Sequence, residues 1–342
     1  MEPAAFEAGF LALANAVDVG FGVIAYNQPT RAFADGLKQS VARFAARKSL
    51  QQARDLAALL DKNGTRRPWR EFQRLAQPIV GNYNQRWLQT EYNAAVRVCR
   101  AAANWQRWEK QVDLYPNLRY TASRSATPRD EHKPWYGLVR PLNDPFWDTH
   151  LPPSAWNCKC GVEQTDAPAT PVPDRGPKPA PGLDNNPGKT GDLFSLKTVN
   201  YAADQAKEAE AEGLRKQRQL IREKAREGAR KKLIETKRVV QREELPGPVH
   251  FTMKGIKECI NQPHKHWLAK ASLVEDGLAE AMEQATYLHS VANSKPDKKP
   301  NIAFYHYFSF QLAGDPAYLI VEQNAQGKCV LHSITDSLSS LK

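Results

Sequence analysis

The stretch from Leu118 to Thr165, LRYTASRSATPRDEHKPWYGLVRPLNDPFWDTHLPPSAWNCKCGVEQT, narrows most what this chain can fold into. Tyr120, Trp135, Tyr136, Trp147 and Trp156 sit there among prolines and turn formers, with no helical or strand period long enough to order them. A segment so rich in large rings has to be packed by its own side chains, as a compact loop region with a small irregular β part. It also holds His132, His150 and the pair Cys158 and Cys160, the residue types that carry metal or hydrogen-bond chemistry.

Around this segment the chain is long enough, at 342 residues, for two or three domains with separate cores. A net charge of +11 points to anionic partners, with nucleic acid first and a merely soluble basic protein as the plain alternative. Five cysteines at irregular spacing argue against a secreted disulfide framework and fit a reducing cytosol. The start MEPAAFEAGF lacks the basic residues of a signal peptide, and Asn15, Asp18 and glycines interrupt the apolar run Phe10 to Tyr26. No uninterrupted span of about 20 apolar residues is present, so a non-secreted protein without a membrane partner is expected.

Read in order, residues 1 to about 60 are helical, with Phe6, Phe10 and Leu13 on one face and a second helix over Asp35–Leu60. Arg67–Val80 is a short helix that Pro78 is expected to close. Leu88, Tyr92, Ala95, Cys99 and Ala102 then mark the apolar side of a long helix, which makes Cys99 a small core residue. Residues 166–201 are rich in Pro, Gly and Asp and read as a linker, with an apolar patch at Leu193, Phe194 and Leu196 able to dock. Residues 202–244 read as a charged spacer helix, with a nucleic-acid-binding arm as the alternative. After Pro246-Gly247-Pro248, two helices are expected, one ended by Pro263 and one over Leu268–Val291. Strands follow at Asn301–Phe310, Ala317–Gln323 and Lys328–Thr335, the last two a hairpin across Asn324–Gly327. The fold class is α+β, with domains at 1–165 and 245–342.

The wording of the first domain resembles the phage Mu F-like minor head proteins. The resemblance rests on Tyr-Asn…Trp-Leu-x-Thr-Glu-Tyr-Asn in the long helix. It rests equally on Tyr-Thr, Arg-Asp-x-His, Gly, Asp-Pro-Phe-Trp, Pro-Pro and Trp-Asn-Cys-x-Cys in the aromatic segment. It covers about residues 40 to 165 and implies a head-morphogenesis protein of the virion head interior or bacterial cytoplasm. The implied partners are the portal, other head proteins and packaged DNA held non-specifically. The family has been compared with ADP-ribosyltransferases, but no Arg, Ser-Thr-Ser and Glu set appears here in order. Cys158, Cys160, His132 and His150 form a candidate zinc set, which the one-residue spacing of the cysteines argues against. A packing role for the cysteines is expected, and no metal or cofactor.

The last domain carries His250, His264, His266, His289, His306 and His332, with Lys254, Lys257, Lys265 and Lys270 near them in sequence. Metal-independent RNA cleavage needs a base for the 2′-OH, an acid for the leaving oxygen and cations for the phosphate, roles that His and Lys fill. Gly-Ile-Lys-Glu…Asn-Gln-Pro-His, the Lys270 helix, Tyr-His-Tyr-Phe and His-Ser-Ile resemble the phage-borne nuclease domains of the barnase, EndoU, colicin and RelE-like superfamily. That resemblance implies an RNA substrate and the possibility of an immunity protein. It places His306 and His264 as acid and base, Lys270 at the phosphate, and Ser333 or Thr335 as a polar donor. His332 and Ser333 are expected on opposite faces of their strand, so that one of them at most lines the cleft. The alternative is an inactive module that binds nucleic acid or protein.

Overall fold

The computed structural model describes residues 1–174, 176–202 and 204–338. The chain forms two compact units, one of Met1–Val23 with Gly36–Gln217, the other of Ile24–Asp35 with the chain from Arg218 on. Its architecture is α+β, as the sequence predicts.

In the first unit, helix α1 (Pro3–Phe21) starts on Glu2, whose carboxylate accepts from the Ala4 and Ala5 amides. Its 19 residues, with a mean hydropathy of 1.3 over the most apolar 18, have the length and composition to cross a membrane, which the interrupted apolar run did not lead one to expect. Phe6, Phe10, Leu13, Ala16 and Val17 are nevertheless buried against protein. Near its end, a Cβ on Gly20 would lie 2.4 Å from Cβ of Cys99, so the two backbones meet there and Cys99 is a packing residue.

Helix α2 (Thr30–Ala58) leads to a two-stranded ribbon, β1 (Asp61–Lys62) with β2 (Thr65–Arg66), and to α3 (Trp69–Gly81). Pro78 does not close α3. The helix continues through a wider π-helical turn at Asn82–Arg86 into α4 (Trp87–Trp108). Proline removes one donor from the ladder, and the π turn re-forms the bonding after it.

The aromatic segment folds as β3 (Asn117–Thr121), β4 (Val139–Pro141), helix α5 (Phe146–His150) and β5 (Gly161–Thr165), an antiparallel sheet in the order β4–β3–β5. Tyr120, Trp135 and Trp147 fill its core together with Trp105 and Trp108 of α4, so the segment is packed by α4 as well as by itself.

Residues 166–201, expected as a linker, are partly built in. Leu183, Leu193 and Phe194 are buried, and the Phe194 ring lies 4.7 Å from Phe44 and 5.3 Å from Trp156. The short helix α6 (Pro187–Thr190) is capped by the Asn186 side chain. Prolines have little chain entropy to lose, so a few apolar anchors suffice to dock such a segment.

The charged helix α7 (Ala206–Ala229) is likewise not a free spacer. In the first unit a Cβ on Gly213 would come within 2.7 Å of Ala46 Cβ. In the second, Ala225 and Ala229 are buried in the core. Small residues at helical spacing allow close backbone approach, a signal invisible to a search for large apolar residues in heptads.

In the second unit, β6 (Val239–Val240) and β7 (Val249–His250) precede α8 (Met253–Asn261), α9 (Trp267–Ser272) and α10 (Leu278–Gln284), the last two joined by a π turn. Strands β8 (Thr286–Ala292), β9 (Ile302–Leu312), β10 (Asp315–Asn324) and β11 (Cys329–Thr335) complete a six-stranded sheet in the order β6–β7–β11–β10–β9–β8. It is antiparallel except between β7 and β11. The expected helix over Leu268–Val291 thus ends at Gln284, because Tyr287 pairs with Phe308 across the sheet and leaves Leu288 exposed.

The β10–β11 hairpin forms as expected, with Gly327 at φ +80° in its turn. Residues 24–35 belong to this unit too. The Ala313 and Gly314 amides donate to the carbonyls of Tyr26 and Asn27 at 2.7 and 3.1 Å.

Helix α8 lies so close on β11 that a Cβ at Gly255 would stand 2.1 Å from the Leu331 carbonyl oxygen. Gly255→Ala is expected to destabilise the second unit by about 1–3 kcal/mol, since backbone must shift to admit the methyl. Urea denaturation followed by tryptophan fluorescence checks this, and an unchanged midpoint would contradict the close approach.

Candidate functional site on the C-terminal sheet

Two faces of the sheet divide the histidines. Phe308 and Leu319 pair across β9 and β10 and point into the core, and by alternation His306 and its partner Val321 share that side. His306 is 5% exposed, and its Nε2 lies 2.7 Å from Gln323 Oε1. The sequence expectation of a catalytic His306 therefore meets a core-facing histidine held by Gln323.

His264 follows α8, where its Nδ1 accepts from the His266 amide at 2.9 Å. Burial, then the Lys270 cation, hold its pKa down to about 4. His266 Nε2 lies 2.6 Å from the carboxylate of Asp315, which pairs with Leu312. That is six residues, about 20 Å of strand, from His306, so His264 and His306 do not form an acid–base pair.

Lys270, expected at the phosphate, is fully buried on α9 and donates to the Gln262 carbonyl at 2.6 Å. Burial lowers its pKa to about 8, against the pull of Cys259 and Asp336 and with a small push from Arg218. Between about pH 8 and 10 the unfolded chain then binds more protons than the folded one, so stability rises with pH through this window. Lys270→Met is expected to remove that rise, on the order of 3 kcal/mol, in denaturation midpoints compared with the parent chain at both pH values. Equal pH slopes in parent and variant would refute it.

The opposite face of the sheet forms a cleft of about 690 Å³. Tyr305, Tyr307 and Ile320 make its floor, and Lys295, Lys298 and Lys299 border it. The β10–β11 register slips between Ile320, which faces Ser333, and Val321, which faces Leu331. This bulge inserts His332, so Leu331 and Ile334 both reach the core while His332 and Ser333 both line the cleft. The expectation of opposite faces assumed an unbroken alternation, which the bulge overturns. Thr335 also lines the cleft, donating to the Ser337 carbonyl at 3.0 Å.

Glu322 Oε1 lies 3.5 Å from His332 Nδ1 and 3.0 Å from Lys299 Nζ. Burial lowers the His332 pKa, opposed by Glu322 and reinforced by Lys299. The Lys299 ammonium stands 5.3 Å from the Tyr305 ring centroid. Sequence reasoning missed Glu322, Lys299, Tyr305 and Tyr307. The i, i+2 spacing of Tyr305 and Tyr307 was a legible signal for the two aromatics.

In the first unit, His132 Nδ1 lies 3.6 Å from Cys158 Sγ and 3.5 Å from Cys160 Sγ. His150, the fourth member of the candidate zinc set, is placed elsewhere, stacked 4.7 Å from Phe146 and bonded to Thr149 Oγ1 at 2.7 Å. Cys160 is drawn down to about 5, first by the hydrogen bond from Cys158 and then by His132. A separate cleft of about 410 Å³ is lined by Arg97, Arg100, Arg124 and Lys159.

Residues 62–163 match the family described as "Phage Mu protein F like protein". Residues 216–331 match "Large polyvalent protein-associated domain 3", a description that names no reaction. The chain is 37% identical over 82 residues to the "Putative capsid assembly protein F" of Escherichia phage Mu, covering 24% of this chain and 19% of that protein. It is 36% identical over 62 residues to the "Mu-like prophage FluMu F protein" of Haemophilus influenzae, covering 18% and 15%. The chain thus spans less than a fifth of the length of these relatives. No solved structure matches it.

Proposed function

We propose, from the match of residues 62–163 to the phage Mu F-like family, that this chain is a head-morphogenesis protein of a tailed phage or prophage whose C-terminal unit cleaves RNA. The observation that carries the second part is the His332–Glu322–Lys299 cluster in a cleft floored by two tyrosines.

In this reading, bases stack on Tyr305 and Tyr307 while Lys295, Lys298 and Lys299 hold phosphates. His332, kept neutral by burial, takes the 2′-OH proton, and Glu322 stabilises the imidazolium that forms. The freed 2′-oxygen attacks phosphorus and expels the 5′-oxygen, which takes its proton from the Tyr305 hydroxyl; the tyrosinate left behind faces the Lys299 ammonium and regains a proton from solvent as the His332 imidazolium gives its own up. His264, His306 and Lys270 serve the fold in this mechanism, and Ser333 lines the substrate cleft.

The portal and other head proteins are the partners proposed for the first unit. The arginine-lined cleft at Arg97, Arg100 and Arg124 supports a non-specific contact with packaged DNA. An immunity protein covering the C-terminal cleft would protect a producing cell.

The test uses the full chain, because residues 24–35 belong to the second unit. Incubation with RNA and with DNA of the same sequence in EDTA is expected to yield cleaved RNA with 2′,3′-cyclic ends and intact DNA. RNA bound but not cut would leave a binding module, and neither bound nor cut would remove the nucleic-acid reading of the cleft.

A further inference from the structure

We propose that His132, Cys158 and Cys160 form a zinc-class metal site in the Mu F-like domain, with three protein ligands and a fourth position open to a polar cavity. The donor atoms of the three residues lie within 4.8 Å of one another. For a tetrahedral zinc ion with bonds of about 2.3 Å to sulfur and about 2.05 Å to nitrogen, the sulfur–nitrogen edge is about 3.55 Å. The two observed separations, 3.6 and 3.5 Å, sit on that value.

Two sulfurs approach the same Nδ1, which as a bare nitrogen offers one lone pair. A cation placed between all three satisfies each of them at once.

The surroundings suit ligation. The Cys160 amide donates to Cys158 Sγ at 3.4 Å, a bond that stabilises a thiolate. His132 and Cys158 are buried, and Cys160 is half-buried. Beside them lies a cavity of about 270 Å³ lined by Ser123, Ser125, Thr127, Arg129 and Asn157, which leaves room for water or an anion at the fourth position.

His132 belongs to the turn Asp130–Trp135, and the cysteines precede β5, so the metal would join two loop segments 26 residues apart in sequence. The one-residue spacing of the cysteines is then no obstacle. Each thiol needs to meet the histidine, which arrives from a separate turn.

The experiment loads the purified, reduced full chain with zinc alone and, separately, with Co²⁺ alone. About one equivalent of zinc and an intense visible cobalt spectrum with sulfur charge-transfer bands are expected. Cys160→Ser and His132→Ala should each weaken zinc binding more than about 100-fold, beyond the loss typical of an outer-shell partner. Cys99→Ser and Cys259→Ser, at buried cysteines elsewhere, should retain it.

A folded chain with all five thiols titratable that takes up no zinc and gives no cobalt spectrum overturns the proposal. So does uptake unchanged in Cys160→Ser, or a Cys158–Cys160 disulfide in place of free thiols. Circular dichroism of each variant separates loss of ligand from loss of fold.

Discussion

Replacing His332 by Ala in the full chain is expected to slow RNA cleavage by about 10²–10⁴-fold, the usual contribution of a positioned general base. Substrate affinity should change little, because the lysines and tyrosines that hold RNA in the cleft are untouched. Glu322→Gln should show a smaller loss with a distinctive pH signature. His332 is depressed by burial and pulled back up by Glu322. Removing that charge lowers the imidazole pKa further and moves the acidic limb of the rate profile to lower pH. The rate itself falls as pH drops through the His332 pKa, since protonation removes the base. His306→Ala, on the core face, should leave the rate per folded molecule unchanged. Equal rates in parent and His332→Ala would end the catalytic assignment, and an acidic limb moved upward by Glu322→Gln would end the proposed role of the carboxylate.

In the first unit, Lys48→Met is expected to cost about 3–5 kcal/mol, because it strands the Glu91 carboxylate in a site closed to water. Lys48 and Glu91 form an ion pair with side chains only 7% and 4% exposed, and Tyr201 donates to the second carboxylate oxygen at 2.8 Å. Burial pushes the lysine pKa down and the glutamate pKa up, so each ion depends on its partner to remain charged. The double variant Lys48→Met, Glu91→Leu should recover most of the loss, leaving about 1 kcal/mol for the abandoned Tyr201 hydroxyl. Denaturant unfolding of parent, both single variants and the double variant measures this. A loss below about 1 kcal/mol in Lys48→Met would mean that water reaches the pair.

What the sequence determined by itself was local. The periodicity of α4, the strand alternation of β9 and the turn residues of the β10–β11 hairpin act over a few neighbours, and each formed where the pattern put it. The aromatic segment was legible for the same reason, since rings and prolines at that density leave a chain few ways to pack.

Tertiary structure alone decided the rest. Burial of Leu193 and Phe194 depends on a surface contributed by Phe44 and Trp156. The course of α7 depends on close approach at Gly213 and on burial of Ala225 and Ala229. Assignment of residues 24–35 to the second unit depends on amides of Ala313 and Gly314, nearly 300 residues away. At the candidate site a single bulge at His332 decided which residues face the cleft, because one inserted residue reverses the side to which its neighbours point. The approach of His132 to Cys158 and Cys160 is of the same kind. Spacing along the chain constrains two thiols two residues apart, and only the folded turn brings the imidazole between them.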